Sequence, residues 1–585
     1  MASSNDFYRI TGIQDGLDPQ KKQELRTVHL RLELDDWYLS PQILHVNQRA
    51  LFFPAFWEFS QMKPQEKTSW FQIAERPDLY EAARTWRLPY WDWAMKKPLP
   101  ENPSKMDYNV PLVVLTKEVR IRQPTILGYG PYPNAFYQFT MRDRIEMGDK
   151  SLRNTDPLKD LRITESIVKY YPEDPKKKPY PVTVHFDKCK ATSRHPTESG
   201  VTKAWEDGFQ DNAAIAKALR DYRWDPIDDT EDDNGKGNLT ASLRDAFYRL
   251  TTIDNFEDFA SMRAPGAGAG TDPQKKKFVK DYAFDSSENI HNNMHDWCGG
   301  PVTKPDGHNV SQMGHMAHVP LAAFDPIFWV HHRHISVLVS RLNRDYNSAW
   351  AAAEKAELTA DPGQDDGIKL TSMASLIAEA KRDPMDLEID DYVVNVIYEK
   401  FALNGTSFTI HIFVGKVPDQ LPYTFQAPGT QVGEVFNFST EPGSMGNSPE
   451  GCQNCRNQQH DHTKSTGRVI LTNALITRFK NQVPHVPVGD GPRTLASMKP
   501  EDVVPFLKAN FHWRVTSMGA LVDPDRIPSL KVSVAVGKAN HYADRSKLSE
   551  FHDYKGAHEI TQGRPGGAGP DDGMYPPDAV YRSGT

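Results

Sequence analysis

Apolar and polar residues alternate along this chain in two rhythms. Before about residue 390 the apolar positions recur at mixed spacings of three and four. LDPQKKQELRTVHL (17–30) and AFWEFSQMKPQEKTSWFQIA (55–74) show this spacing, which predicts amphipathic helices. Helical patterns dominate again over 198–260, interrupted by the acidic DPIDDTEDDNGKGN (225–238), and return over 286–346. Between them, RLPYWDWAMKK (87–97) reads as an aromatic-rich turn, and PLVVL with EVRIR (111–122) as a short hairpin. APGAGAGTDPQKKK (264–277) reads as a loop. Its glycines follow no strand and lead to no Lys-Ser/Thr ending, so it is not expected to cradle phosphate. After about residue 390 the period changes to two. YVVNVIYEKF, SFTIHIFVGKV, GEVFNFS, GRVILTNAL, FHWRVTSM and LKVSVAVGK are short β-branched runs between Gly and Pro turns, which predicts an antiparallel sandwich or barrel. The expected architecture is a mainly α helical domain over 1–385, then a C-terminal antiparallel β-sandwich domain over 390–585. The boundary falls in the Ala-, Asp- and Gly-rich stretch 355–390. No internal repeat is visible.

Composition narrows the class. The chain has 585 residues, 38% hydrophobic and 25% charged, which is globular. Its 69 Lys and Arg against 77 Asp and Glu give a net charge of −8, so no nucleic-acid partner is expected. Four cysteines do not make a disulfide scaffold. No run of about 18 apolar residues predicts a membrane span, and MASSNDFYRITG lacks the basic and apolar segments of a secretory signal. The expectation is a cytoplasmic enzyme with a small-molecule substrate, with a homodimer as the candidate assembly.

Histidine is unevenly distributed. Of 20, only His29, His45, His185 and His195 precede residue 290, whereas eight lie between His291 and His334. SSENIHNNMHDW places His291 and His295 four apart, so both imidazoles share one helix face and can chelate one ion. The second segment, AAFDPIFWVHHRHIS, carries His331, His332 and His334 behind the apolar run FDPIFWV. Imidazoles on a buried helix need partners for their ring nitrogens, and a metal supplies one. Three neutral imidazoles leave an open position, as in catalytic zinc sites. Imidazole suits Zn, Cu, Fe and Ni alike, so these residues do not select the metal.

These segments carry a resemblance. ENIHNNMHDWCGG followed by MGHMAHVPLAAFDPIFWVHH resembles the CuB half of the tyrosinase and hemocyanin type 3 copper family. RLPYWDWA (87–94) resembles the aromatic turn after that family's CuA half. The region from YVVNVIYEKF to SLKVSVAVGK resembles the β-sandwich extension of fungal tyrosinases, including a CxxC, here Cys452-Gln-Asn-Cys455. By this likeness the metal ligands are His291, His295 and His332, the second His of the pair. The resemblance also implies that Asn292, with a nearby Glu, helps hold a water that serves as base. Glu288 lies three residues before His291 on a similar helix face. It is a candidate general acid/base, or equally a carboxylate favouring the helix N-terminus. His331 is a candidate donor to substrate, or a structural side chain. His315 and His318 line the entrance or belong to a plain loop. The CxxC reads as a remnant of copper loading or a disulfide, and lacks the second pair that a structural zinc site needs. A C-terminal loop residue plugging the pocket, as in latent tyrosinases, is a further implication.

The departures from the pattern carry as much information. A family member would place a GIHG-type segment, a Cys-x-His and a WHRxY-type helix before its aromatic turn. Here WFQIA (70–74) runs into ERPDLYEAARTWRLPYWDWA, and no histidine lies between His45 and His185. Where the family has an Asp four residues after the third ligand, this chain has Ser336, with Arg333 and His334 between. Loss of such an outer partner typically changes metal affinity or activity about 10–100-fold. The expectation is therefore one Zn²⁺ per chain, with copper as the alternative, and a non-oxidative Lewis-acid reaction. The branch it resembles most is the zinc-acting cyclopenases of fungal quinolone-alkaloid biosynthesis. These rearrange cyclopenin-type benzodiazepinedione epoxides to viridicatin-type quinolones with loss of methyl isocyanate. The alternatives are a copper-dependent tyrosinase- or catechol-oxidase-like oxidoreductase, or a non-catalytic pathway partner.

Overall fold

The computed structural model describes residues within 32–61, 89–140, 165–221, 243–262, 284–332 and 386–582, apart from single positions and short stretches inside these ranges. The expected features at 17–30, 62–74, 225–238, 264–277 and 333–346, and the expected domain boundary up to residue 385, lie outside the described residues. In chain order the first elements are α1 (Leu34–Leu39) and α2 (Ile43–Gln61). Three hairpins follow, β1 (Lys97–Leu99) with β2 (Asn102–Asp107), β3 (Glu118–Arg122) with β4 (Tyr129–Pro133), and β5 (Glu165–Tyr170) with β6 (Tyr180–His185). After them come α3 (Asn212–Asp221), α4 (Leu243–Leu250), α5 (Ser287–Gly299) and α6 (Ile327–His331). Two compact units are formed. One comprises Met1–Trp93, Pro111–Tyr137 and Trp329–His334, the other Ala94–Val110, Gln138–Phe328 and Ile335–Thr585.

The first unit is held by aromatic packing. Trp37 of α1 and Phe52 and Phe53 of α2 are buried, and Phe52 stacks on Phe136 with centroids 5.1 Å apart. The expected hairpin is corrected here. EVRIR is indeed strand β3, with alternating burial, but it pairs with Tyr129–Pro133. PLVVL instead forms a buried 3-10 turn over Leu112–Leu115. Pro111 brings no N–H to a ladder, and the N–H of Leu112 donates to Asp35 Oδ1 at 2.9 Å, so the segment closes on α1.

The second unit contains the β-rich C-terminal region. Its strands are β7 (Asp386–Glu399), β8 (Phe408–Val414), β9 (Gln431–Asn437), β10 (Lys464–Ile470), β11 (Phe511–Ser517), β12 (Ala520–Val522), β13 (Lys531–Tyr542) and β14 (Glu550–Gly556). They form two four-stranded antiparallel sheets, ordered β10-β7-β13-β14 and β12-β11-β8-β9. Helices α7 (Gln453–His460), α8 (Thr472–Lys480) and α9 (Pro500–Asn510) interrupt the strand sequence. Several strands are apolar on both faces for a physical reason. On β7, Tyr392, Val394, Val396 and Tyr398 enter the main core with Ile410, Ile412 and Val534. Val393 and Ile397 instead enter a second cluster with Phe284, Tyr554 and Tyr575. Successive side chains point to opposite faces of a strand, so a strand covered on both sides reads YVVNVIY without alternation.

Buried charge ties the earlier helices of this unit to its sheets. Arg249 of α4 donates through two nitrogens to Asp391 of β7, at 2.7 and 2.8 Å. Tyr554 and Thr472 donate to the same carboxylate. Burial by itself would raise Asp391, but Arg249 and these donors hold it at about 2. Arg468 of β10 likewise donates to Asp285, just before α5, at 2.5 Å. Removing one partner of such a pair leaves an uncompensated buried charge. Asp391→Ala should therefore lower unfolding stability by about 3–5 kcal/mol. Urea titration of the full chain checks this, and a loss below about 1 kcal/mol would mean that the pair is solvated.

Candidate metal centre

Helix α5 begins where the sequence gives it a stop and a start. Ser286 is the N-cap, with its Oγ accepting from the N–H of Asn289 at 3.2 Å. The helix ends at Gly300, whose φ of +87° suits glycine. A Cβ there would lie 2.7 Å from the His195 ring. The last carbonyls of the helix are claimed from outside. His195 donates through Nε2 to Trp297 O at 2.6 Å and through its N–H to Gly299 O at 2.9 Å, and Gly314 N–H donates to Gly299 O at 2.8 Å.

The expected i, i+4 pair is realised on this helix. His291 Nε2 and His295 Nε2 lie 3.1 Å apart, with ring centroids 4.6 Å apart. The other nitrogen of each ring faces an oxygen that can only accept from it. His295 Nδ1 meets Met316 O at 2.6 Å, and His291 Nδ1 meets Asn292 Oδ1 at 3.0 Å. Both Nδ1 atoms are thus the protonated ones, and both Nε2 atoms carry lone pairs that point at each other. Burial lowers the His291 pKa, and the smaller opposing pulls of Asn292 and the Glu288 carboxylate do not reverse that. Two facing lone pairs at this separation repel unless a cation sits with them. The donor set therefore fits a metal that accepts imidazole nitrogen.

The second histidine segment is placed by its aromatic neighbours. The main-chain N–H of Trp91 donates to Val330 O at 3.2 Å. His331 is buried against Trp93, with centroids 5.0 Å apart, and more loosely against Trp91 at 6.4 Å. Trp91 and Trp93 of the aromatic turn thus back the end of α6. His332 follows with its ring 5.1 Å from that of His331. Among the described residues, His291, His295, His331 and His332 make up the group of side chains able to hold a metal ion.

The other singled-out residues resolve as follows. Asn292 is buried, accepts from His291 and places Nδ2 3.0 Å from Met262 Sδ, so it orients the His291 ring. Glu288 accepts from Met262 N–H at 2.9 Å and faces Lys400 Nζ at 3.6 Å. His315 is buried, accepts from Ser193 N–H at 3.1 Å and stacks on Trp205. Its neighbour Met316 supplies the carbonyl that sets His295. His45 bonds Ser40 Oγ at 2.7 Å. Cys455 is disulfide-bonded, one of the readings of the CxxC.

Two functional features escaped the sequence reading. Arg194 and Asp325 form a fully buried two-point ion pair at 2.8 and 2.5 Å, and Asp325 Oδ1 also accepts from Ile327 N–H at 3.1 Å. This fixes the start of α6. The Asp-Pro-Ile sequence before an apolar run was the available signal. Phe438, one residue past β9, stacks on His295 at 4.1 Å with the rings 16° from parallel, and meets His291 edge-on at 6.5 Å. No local pattern in GEVFNFS announces that contact.

A helix whose histidines belong to a group able to hold a metal ion, set beside antiparallel C-terminal sheets, points to the class of metal-binding proteins. Comparison with known proteins gives the family. The common central domain of tyrosinase matches residues 68–344 and the tyrosinase C-terminal domain matches 391–534. Together they account for most of the chain, which belongs to the tyrosinase family. A tyrosinase of Aspergillus fumigatus is 24% identical over 551 residues, covering 82% of this chain and 78% of that one. A tyrosinase of Neurospora crassa is 32% identical over 229 residues, covering 37% and 30%. The fold is shared with the melB holo-protyrosinase from Aspergillus oryzae, with a TM-score of 0.54 and 20% identity over 94% of this chain and 97% of that one. The apo form gives a TM-score of 0.52 and 20% identity over 92% and 97%.

Burial makes the supporting histidines acid-sensitive. It pushes His315 down to about 3 and His195 down to about 4, whereas an unfolded chain titrates near 6.5. Below pH 6.5 the unfolded state binds protons that the folded state refuses. Stability is therefore complete above that pH and falls as pH drops, at up to about 1.4 kcal/mol per pH unit for each group. His315→Gln should flatten the fall between pH 6.5 and 4.5 by roughly 2 kcal/mol. Urea unfolding across that range measures it, and an unchanged slope would contradict the assignment.

Proposed function

We propose that this chain is a non-oxidative, zinc-dependent enzyme of fungal secondary metabolism, with one ion held by His291, His295 and His332. The tyrosinase family holds metal, usually copper, through histidines, and the four-histidine group above fits that use. The observation that carries the single-ion reading is the histidine distribution. None lies between His45 and His185, the stretch that precedes and follows the aromatic turn. Among the described early histidines, His45 is engaged by Ser40 and His195 is spent on the end of α5.

When bound, such an ion supplies Lewis acidity, polarising a carbonyl or epoxide oxygen or lowering the pKa of a bound water toward about 7. The chain's own residues prepare that chemistry. Met316 O and Asn292 Oδ1 fix the tautomers of His295 and His291 and aim both Nε2 atoms inward. His331 sits against Trp93 and completes the aromatic wall behind His332. Glu288, whose carboxylate lies near His291, is our candidate for moving a proton, with Asn292 and His331 as orienting groups. The reaction that fits the family branch described above is conversion of a cyclopenin-type epoxide to a viridicatin-type quinolone plus methyl isocyanate. This fragmentation conserves all atoms and consumes no oxidant.

The relatives' printed name, tyrosinase, favours a second reading, a copper-dependent tyrosinase- or catechol-oxidase-like oxidoreductase. Incubation of the full chain with a cyclopenin-type epoxide under nitrogen separates the two. Product should form without oxygen, and His295→Ala should reduce turnover by at least about 100-fold. Strict oxygen dependence, or oxygen uptake with a catechol, would overturn the proposal. Glu288→Gln should lower kcat by roughly 100-fold if the carboxylate transfers a proton, and leave it unchanged if it only anchors Met262.

A further inference from the structure

Strand β11 is bordered by β8 along Phe511–Thr516, but β12 pairs with it only from Val515 to Ser517. Beside the earlier part of the strand lies the loop TQGRPGGAGP (561–570), where Pro565 O accepts from Trp513 Nε1 at 3.0 Å. The loop lays Arg564 over the Trp513 ring, 4.2 Å from its centroid, and Ile560 O takes one of the guanidinium N–H groups at 3.2 Å. His512 and Arg514 stand two apart on β11 and share one face of the strand. Arg514 folds back so that one of its N–H groups meets Trp513 O at 2.9 Å. Arg514 is exposed, and His512 and Arg564 are half-buried. The three lie within electrostatic reach of one another. Burial and then Arg514 bring Arg564 down to about 10, and burial, Arg564 and Arg514 together bring His512 down to about 4.

Among the described residues no carboxylate answers these groups. Glu434, on the same sheet, is held by Trp297, Gln431 and His411. The acids that flank the loop are drawn to lysines, Glu559 to Lys508 at 3.7 Å and Asp572 to Lys531 at 2.8 Å. Two like charges held together without a counter-ion disfavour each other. An oxyanion beside them removes that repulsion, and a guanidinium can meet its oxygens with two parallel N–H groups at once. At Gly563, next to Arg564, a Cβ would meet nothing within 4 Å, so the approach is open. We propose that Arg514, Arg564 and His512 form a binding site for a small oxyanion of the phosphate or sulfate type. The site shares no residue with the four-histidine group and does not depend on the reading of the metal.

Calorimetric titration of the full chain with inorganic phosphate, at an ionic strength held constant with sodium chloride, tests the site. Phosphate should bind saturably, sulfate should compete for the same site, and acetate at equal concentration should not. The tighter of the two tetrahedral anions distinguishes a phosphate site from a sulfate site. Arg514→Gln and Arg564→Gln should each weaken phosphate binding by at least about tenfold, because each removes a charge-assisted contact. Arg514→Lys should keep part of the affinity, since the charge stays while the fork is lost. Arg514 is exposed, so Arg514→Gln decides the matter even where Arg564→Gln disturbs the packing on Trp513, and an unchanged circular dichroism spectrum confirms its fold. The proposal is overturned by an absence of saturable phosphate binding or by an unchanged affinity in Arg514→Gln. Binding of a poly-glutamate peptide without binding of phosphate would also overturn it, by making the patch a protein contact.

Discussion

The site depends on where two protons are. Met316 O and Asn292 Oδ1 each claim the Nδ1–H of a histidine on α5, and this leaves two Nε2 lone pairs 3.1 Å apart. A helix would not gather such groups for stability alone, since their repulsion opposes folding. Their neighbours are arranged to maintain it. Ser286 starts the helix, His195 and Gly314 close its end, and the 3-10 turn at His315–Ala317 brings in the Met316 carbonyl. The orientation of each ring is decided by Met316 O and Asn292 Oδ1, groups placed as the outer partners of a metal site are.

The C-terminal sheets are a structural part of the unit that carries this helix. Buried pairs from Arg249 to Asp391 and from Arg468 to Asp285 join helical segments to β7 and β10. Asn293 and Trp297 do the same between α5 and β9. A chain that uses one face of α5 for histidines and another for a sheet edge couples the two by geometry. The same strand then supplies Phe438, the aromatic ring that lies over His295.

Much of this was legible from spacing. The i, i+4 histidines and the β-rich texture after residue 390 follow from local periodicity and emerge as expected. The partner of EVRIR is not legible locally, because it lies in distant chain, Tyr129–Pro133, whereas the nearest apolar run is diverted by Asp35. The hairpin of β5 and β6 and the helices α7 to α9 are too short to give a strong periodic signal. Arg194 and Phe438 leave no local trace for a related reason. Each acts through a contact more than a hundred residues away in sequence, and no period records such a contact. The aromatic turn was recognised by its composition, but its place against His331 came only from the fold.

The central claim is that one ion, held by histidines of α5 and the end of α6, serves a reaction that needs no oxygen. The most direct measurement is the metal content of the full chain, purified after expression with both zinc and copper available, by inductively coupled plasma mass spectrometry. The account predicts about one zinc ion per chain, as for an open three-histidine site. A pair of copper ions per chain would contradict it.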